Sequence, residues 1–276
     1  MNLIKSTGTF SFFTIISRVL GYLRDFFIAI FLGTGFLADI FFVAFRIPNT
    51  FRRLLSEGTF NAAFVPSYAS ELVKGKKQSN KFANQVLNIL LISLLFIVLI
   101  VQLFMPTFVS LIAPGFSDDK EKIDFAINLT RITFPFLMFI SLASFFSAIL
   151  NSHNKFAAAA AAPIILNIIL IIILFFSKII GDNLVYFLSY GVTLSGLIQL
   201  IFLYFFVKRF FTINLYFTLI IQNKVKIFFK KLLPSIFSSG VTQINILVGT
   251  IIASFQASVV SYLYYADRIY QINLAI

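Results

Sequence analysis

The 276-residue sequence has no cysteine, no tryptophan, a single histidine and few charged residues. The absence of cysteine excludes a disulfide framework, a thiolate metal site and a thiol nucleophile. One histidine, His153, cannot build a multi-histidine metal site, and we expect it to lie in a loop. Charged residues make up 12% of the chain, against about 25% in an ordinary soluble domain, so the sequence excludes a water-soluble globule.

Apolar residues are abundant. They account for 59% of the chain, and the mean hydropathy is +0.97. A transmembrane helix needs roughly 20 apolar residues, which leaves room for about eight crossings. The sequence therefore predicts an all-α polytopic membrane helical bundle, with apolar segments near residues 8–33, 36–58, 83–112, 126–150, 157–180, 184–207, 233–255 and 259 to the end.

The positive charge is unevenly distributed between the connecting segments. The formal net charge is +12, but the basic residues alternate between loops and helix interiors, which argues against a nucleic-acid surface. One set of alternate loops holds twelve Lys or Arg residues, and the other holds three beside five acidic residues. By the positive-inside rule this asymmetry predicts a cytoplasmic N-terminus.

The segments also suggest a domain organisation. We expect a six-helix transmembrane lobe over residues 1–210 and the first two helices of a second lobe over 232–276. Residues 211–231 mix Phe and Lys, which is typical of an amphipathic cytoplasmic linker helix on the inner leaflet, although a plain basic loop is the alternative. Because the chain stops in apolar sequence, we expect a polypeptide cut inside its eighth helix.

Seven arginines fall inside apolar segments, where each costs about 2.5 to 3.5 kcal/mol on insertion scales if it lies at the bilayer centre. Arg18 and Arg24 lie roughly 13 and 22 Å from a helix start near Thr9, in a hydrocarbon core about 30 Å thick. Neither is close to a helix end, so we expect both to face protein or water. The seven are Arg18, Arg24, Arg46, Arg52, Arg53, Arg131 and Arg268.

The polar residues of the first helix share one face. They fall within an arc of roughly 120°, and apolar residues occupy the rest. So narrow a stripe predicts one wall of a water-filled cavity, and the alternative is a structural pair between Arg18 and Asp25. The stripe consists of Thr14, Ser17, Arg18, Gly21, Arg24 and Asp25.

The second helix has a carboxylate near each end. Asp39 near the outer end and Glu57 near the cytoplasmic end share a face with Arg46 and Arg53, within roughly 40° if the helix is straight, although Pro48 is expected to kink it. We predict that these carboxylates act as gates that pair alternately with cations of the cavity. Arg52 and Arg53 are interpreted as snorkelling anchors and as further charge partners.

The last segment contributes Asp267 and Arg268, and Arg268 is the third candidate for the cavity. Three arginines that converge near the middle of a membrane require an anion able to accept several bidentate hydrogen bonds. Phosphate or diphosphate is the natural match. In a lipid setting, such an anion is expected to carry an acyl or prenyl tail.

Four stretches of the sequence are similar to one known family. They are SRVLGYLRDFFIAIFLGTGFLADIFFVAFRIPNTFRRLLSEGTFNAAFVPSYASE (17–71), APGF (113–116), RITFPFLMFISLASFFSAILNSHNKF (131–156) and ASFQASVVSYLYYADRIY (253–270). Together they resemble the MurJ (MviN) lipid II flippases, in the MOP superfamily that includes multidrug exporters and polysaccharide flippases. The resemblance runs along essentially the whole chain.

The resemblance implies a two-lobe helical transporter of the bacterial cytoplasmic (inner) membrane, of which this chain is the N-terminal lobe and the start of the second. Its members move lipid II, the undecaprenyl-diphosphate-linked muropeptide, to the outer leaflet by alternating access. Expected partners are lipid II, membrane lipids and the cell-wall synthesis machinery, without a cofactor or metal. The family's functional positions match Ser17, Arg18, Arg24 and Arg268 for the substrate, and Asp25, Asp39, Arg52 and Glu57 for gating and charge balance.

Two other classes of function are alternatives. One is the transport of another polyprenyl-diphosphate oligosaccharide, or of a drug, by the same superfamily. The other is an intramembrane enzyme acting on polyprenyl phosphates, which would need paired carboxylates for a metal or a nucleophile near the diphosphate. The predicted spans hold no DDxxD-like pair, so we predict a transporter and not an enzyme.

Overall fold

The structure, a computed structural model, describes residues 3–56, 59–214 and 223–274. Within these ranges all regular secondary structure is helical, and turns or short connections join the helices. In chain order the helices are α1 (Leu3–Phe31), α2 (Phe36–Ser56), α3 (Thr59–Val73), α4 (Lys76–Leu103), α5 (Met105–Ile112), α6 (Lys120–Thr133), α7 (Phe136–Ser152), α8 (Phe156–Phe175), α9 (Ser177–Ile180), α10 (Leu184–Val207), α11 (Asn223–Ala253) and α12 (Val259–Leu274).

The all-α membrane bundle predicted from the sequence is confirmed. Four segments of the described chain are long and apolar enough to cross a bilayer, namely Lys76–Leu103, Lys120–Ser152, Phe156–Phe175 and Ser177–Val207. In the first of these, only 17% of the apolar window is buried inside the protein, which suits a lipid-facing helix. The predicted number of about eight crossings stays a prediction.

Helix α7 lies at the centre of the described helices. It packs against α2, α3, α4, α8 and α10, and most of its residues are buried. Helix α10 approaches α7 closely at Gly196, where an added Cβ would lie 2.7 Å from Phe136 Cδ2. The core is therefore a set of helices around α7, and the remaining helices close around it.

Helices α1 and α8 run parallel. Three residue pairs along their length show this register: Ser17 with Asn167, Gly21 with Asn167, and Phe27 with Phe175. Both helices therefore begin at the same end of the bundle, which we call the inner end. The opposite end, where α1 ends and α12 begins, is the outer end.

Helix α11 begins earlier than the seventh span predicted from hydropathy. Residues 223–231, assigned to the linker from the sequence, form the first turns of α11. Val225 and Phe228 of these turns are buried, and the Phe228 ring lies 5.8 Å from Phe60 and 5.9 Å from Phe64 of α3. Residues 211–214 lack regular secondary structure, and 215–222 lie outside the described residues.

Candidate functional site

A cavity of about 850 Å³ lies among the helices of the described chain. Its walls come from α1, α2, α3, α7, α8, α10 and α12. It extends toward the inner end, because Phe10 near the start of α1 and Ala159 near the start of α8 both line it. At its other extreme it reaches Asp25 and Arg268.

The polar face of α1 forms one wall of this cavity. All six residues of the stripe line it, from Thr14 to Asp25. Apolar side chains on the other faces of α1, such as Ile15, Val19 and Phe26, are exposed on the protein surface, as expected for contact with lipid. The helical periodicity of the sequence therefore identified this wall.

Arg24 is held at the cavity by two neighbours. Its Nε and Nη2 donate to Asp25 Oδ1 at 2.9 and 2.6 Å, and its Nη1 donates to Asn167 Oδ1 at 2.9 Å. The amide of Asn167 also donates to the carbonyl oxygen of Ser17 at 2.9 Å. Asn167 thus fixes the orientation of Arg24 relative to the backbone of α1.

Arg268 reaches the same carboxylate from α12. Its Nε lies 3.0 Å from Asp25 Oδ2, as an ion pair whose angle falls short of a hydrogen bond. Its Nη2 donates to the Tyr264 hydroxyl at 3.2 Å, and that hydroxyl donates to Asp25 Oδ1 at 3.1 Å. Gln271 Oε1 accepts from Arg268 Nη1 at 3.0 Å, and Gln271 Nε2 donates to Asp267 Oδ2 at 2.7 Å, so Asp267 is linked to Arg268 through an amide.

Three arginines therefore line one cavity, and we call Arg18, Arg24 and Arg268 with Asp25 the arginine corner. Arg24 and Arg268 share Asp25, whose side chain is 7% exposed, while Arg18 is exposed and lines the cavity next to Ser17. Three guanidinium groups against the Asp25 carboxylate give the corner a formal charge of +2, and the nearby Asp267, linked to Arg268 through Gln271, lowers the local total to +1. This arrangement can attract an anion that competes with Asp25 for the guanidinium donors.

Asp39 lies at the outer end, away from the cavity lining, and is completely buried. Its Oδ1 accepts from the Ser261 N–H at 2.9 Å, and its Oδ2 accepts from the Ser258 N–H at 2.9 Å and from Lys122 Nζ at 3.2 Å. Both N–H groups belong to the start of α12, where the positive end of the helix dipole favours a carboxylate. The prediction paired Asp39 with cavity arginines, whereas in the structure Asp39 caps α12.

A second contact at the outer end joins the backbone of Gly115 to the turn between α11 and α12. The N–H of Gly115 donates to Ser254 Oγ at 3.0 Å. A Cβ added to Gly115 would lie 2.4 Å from the Ser254 carbonyl oxygen and 2.5 Å from Phe255 Cα, so only glycine permits this approach. The APGF motif at 113–116 therefore contacts the turn between α11 and α12.

An ionic contact joins α3 and α11 at the inner end. Glu71 at the end of α3 accepts from Lys74 Nζ and from Lys224 Nζ of α11, both at 2.7 Å. Desolvation alone would raise the pKa of Glu71, but the hydrogen bonds and charges of the two lysines lower it below its ordinary value. Nearby, Tyr68 pairs with His153, whose pKa is lowered by burial and by Lys76.

Other predicted residues fall outside these contacts. Glu57 lies outside the described residues, as do the side chains of Arg52 and Arg53. Within the part of the chain that the structure describes, no group of three or more His, Cys, Asp or Glu side chains could hold a metal ion.

Sequence reasoning missed Asn167 and Tyr264. Asn167 stands alone among apolar residues of α8, which was a usable signal for a buried polar contact.

Sequence comparisons identify relatives along the whole chain. A family model described as "Lipid II flippase MurJ" matches residues 28–276. A probable lipid II flippase MurJ of Rhizobium tropici is 41% identical over all of this chain and 53% of its own length, and that of Rickettsia prowazekii is 38% identical over all of this chain and 54% of its own. The chain thus spans about half the length of the curated relatives it matches.

Structural comparisons agree. A solved structure titled "Lipid II flippase MurJ, inward closed conformation" matches 95% of this chain and 54% of its own, with a TM-score of 0.82 and 30% identity. A MOP superfamily transporter from Pyrococcus furiosus matches 97% of this chain and 60% of its own, with a TM-score of 0.70 and 18% identity. The second likeness shows a shared fold alone.

Proposed function

The chain belongs to the MurJ lipid II flippase family, and from this premise we propose that the protein containing it moves lipid II from the inner to the outer leaflet of the cytoplasmic membrane. The names of its relatives favour this cargo over another oligosaccharide lipid or a drug. Transport by alternating access changes no covalent bond, so the protein acts as a transporter and not as an enzyme.

The observation that carries the proposal is the arginine corner. The diphosphate of lipid II is anionic, and a corner with a net positive charge facing a cavity provides guanidinium donors for it. Arg18, which is exposed, is placed to meet the anion first. Arg24 and Arg268 then exchange part of their contact with Asp25 for phosphate oxygens, since a dianion accepts more hydrogen bonds than one carboxylate.

The two ends of the cavity support alternating access. The cavity extends toward the inner end, while Asp39 and Gly115 join the helices at the outer end. Release to the outside requires these outer contacts to separate. An inside-negative membrane potential favours the outward movement of negative charge by about 2.3 kcal/mol per charge per 100 mV.

The orientation of the chain follows the same scheme. We place the inner end and the N-terminus in the cytoplasm, because the lysine-rich connections that include Lys74, Lys76 and Lys155 lie at that end. The acidic connection before α6 then faces outward. Membrane lipids surround the bundle, and the cell-wall synthesis machinery is the expected consumer of the exported precursor.

The test uses the full-length protein in cells that depend on it. Replacement of Arg24 or Arg268 by alanine is expected to abolish arrival of lipid-linked precursor at the outer leaflet, and Arg18→Ala to reduce it strongly, because each removes a cation from the diphosphate site. The measurement is the amount of precursor accessible at the outer leaflet after depletion of the wild-type protein.

Arg131→Ala is the matched control, since Arg131 is an exposed arginine of α6 outside the cavity lining. It is expected to transport normally. Normal transport by all three cavity variants would refute the anion site. Continued arrival of precursor after depletion of this protein, in cells that have no other flippase, would refute lipid II as the cargo.

A further inference from the structure

Tyr264 of α12 contacts both the arginine corner and the outer end. Its hydroxyl accepts from Arg268 Nη2 at 3.2 Å and donates to Asp25 Oδ1 at 3.1 Å, so it belongs to the hydrogen-bond network of the corner. Its ring stacks on Phe42 of α2, with the ring centroids 3.9 Å apart and the planes 17° from parallel. Tyr264 is 4% exposed and Phe42 is completely buried, so the stack lies inside the protein.

The stacked rings lie beside the carboxylate that caps α12. Phe42 follows Asp39 by three residues on α2, so the two share a helix face. Tyr264 follows Ser261 by three residues on α12 and shares a face with it in the same way. Since Asp39 accepts from the Ser261 N–H at 2.9 Å, the ring stack and the Asp39 cap are neighbouring contacts between α2 and α12.

The hydroxyl of Tyr264 cannot move without the ring. A phenol is a rigid group and its oxygen lies on the ring axis, so the oxygen changes position only when the whole ring does. An anion that draws Arg268 away from Asp25 disturbs both hydrogen bonds of this hydroxyl, because these two residues are its partners. In a close-packed interior, a shift of the ring is passed on to Phe42 and so to the neighbourhood of Asp39.

We propose that Tyr264 is a positioning residue that transmits anion binding at the arginine corner to the contact at the outer end. It lies outside the cavity lining and acts through the Phe42 ring, without holding the anion itself. A ligand shifts a conformational equilibrium only through interactions that differ between the two states, and the bonds of this hydroxyl are such interactions. The inference rests on the proposed function and adds the residue that links binding to outward opening.

The test measures two quantities on the purified full-length protein, prepared without other cysteines. One is the affinity for undecaprenyl diphosphate, with undecaprenol as the uncharged probe. The other is the rate at which a water-soluble thiol reagent labels Val260→Cys, at a completely buried position of α12. Undecaprenyl diphosphate is expected to raise this rate by at least about fivefold, the lower end of typical couplings between sites. Undecaprenol is expected to leave it unchanged.

Tyr264→Phe is the decisive variant, because it keeps the stacked ring and removes the hydroxyl alone. It is expected to retain affinity for undecaprenyl diphosphate and to lose the ligand-induced rise in labelling. A folding defect would lower the affinity as well. Phe42→Leu interrupts the same link at its other end and is expected to lose the rise too, and the double variant should behave like either single one.

Tyr265→Phe is the matched control. The Tyr265 ring meets Phe42 edge-on at 5.2 Å, and its hydroxyl donates to the Gly33 carbonyl oxygen at 2.7 Å, in the turn between α1 and α2. The change removes a tyrosine hydroxyl from the same helix and is expected to preserve the ligand-induced rise. Equal loss of the rise in both tyrosine variants would show that any weakening of α12 abolishes it, which would overturn the role of Tyr264.

The outcomes separate the role of Tyr264 from the anion site. Arg24→Ala is expected to weaken binding of undecaprenyl diphosphate strongly, and normal binding by this variant would overturn the anion site. With that site intact, a rise in labelling that survives Tyr264→Phe, or that never occurs in the protein with native Tyr264, would overturn the transmission alone. A loss of affinity in Tyr264→Phe as large as in Arg24→Ala would make Tyr264 part of the anion site and not a positioning residue.

Discussion

The two ends of the cavity are held by contacts of different character. At the outer end, Asp39 is completely buried and has three partners, and the Phe42 ring stacks on Tyr264 at 3.9 Å. At the inner end, Glu71 is buried, but its partners Lys74 and Lys224 have side chains that are 51% and 48% exposed. Water and salt therefore screen the inner contact far more than the outer one.

This difference indicates which end of the cavity is harder to open. A buried carboxylate that loses buried partners destabilises the fold strongly, whereas an ion pair whose cations are about half exposed contributes less. Opening the outer end therefore requires compensation from elsewhere. Under the proposed function, an anion bound at the arginine corner would supply it through Tyr264 and Arg268 of α12, the helix that Asp39 caps. The inner contact can exchange with water at small cost.

The largest expected effect comes from Asp39→Ala. The change leaves the Lys122 ammonium and two N–H groups of α12 without their acceptor, which destabilises the closed outer end by about 3 to 5 kcal/mol. The measurement is labelling of a cysteine introduced by Val260→Cys, a completely buried position, with a membrane-impermeant thiol reagent added from outside. Labelling is expected to rise sharply.

Asp119→Ala serves as the control, because Asp119 caps α6 locally and is exposed. It is expected to leave the labelling low. Equal labelling in the Asp39 and Asp119 variants would show that the outer contact does not depend on the Asp39 carboxylate.

An intermediate effect is expected from Gly115→Ala. Its Cβ would collide with backbone atoms of Ser254 and Phe255, which cannot move aside as a flexible side chain would, so the turn between α11 and α12 must shift at a cost of about 1 to 3 kcal/mol. The same Val260→Cys labelling is expected to increase, though less than with Asp39→Ala. Gly8→Ala meets nothing within 4 Å and should have no effect. Low labelling with Gly115→Ala would mean that the close approach tolerates a methyl group.

Local periodicity predicted part of this site. The stripe from Thr14 to Asp25 was visible because side chains on one helix have a fixed phase, whatever they pack against. The apolar content predicted the membrane bundle, whereas the depth of Arg18 and Arg24 in the bilayer, estimated from helical rise, stays a prediction. The position of Arg268 deep in an apolar segment, together with the family resemblance, predicted that it lines the cavity.

The remaining contacts depend on distant residues. A helix cap is normally supplied by the residues just before the helix, but Asp39 caps α12 from 219 and 222 positions away. The pairing of Arg24 with Asn167 spans 143 positions. Hydropathy also cannot identify Gly115 as a point of backbone approach, since that depends on the position of a turn in another pair of helices.

The smallest effect, and the one most sensitive to conditions, is expected from Glu71→Gln. The folded-state pKa of Glu71 lies below its ordinary value of 4.5, so its contribution to stability is fully present above that value and is lost as the pH falls through the lowered pKa. At pH 7 the variant should lower the thermal unfolding midpoint of the full-length protein slightly, corresponding to under about 1 kcal/mol, and high salt should reduce the difference. Below the lowered pKa, variant and wild type should converge.

Two comparisons make this last effect specific to Glu71. Glu121→Gln, at an exposed glutamate of α6, should match wild type at every pH. The pKa of His153 is also lowered, from its ordinary value of 6.5, so His153 protonates at a higher pH than Glu71. Wild type and the Glu71→Gln variant should lose stability together in that pH range.

A large loss of stability at pH 7 with Glu71→Gln that salt does not reduce would place a strong, desolvated contact at the inner end. The asymmetry between the two ends would then be wrong, and both would have to be treated as comparable barriers to the alternation of the cavity.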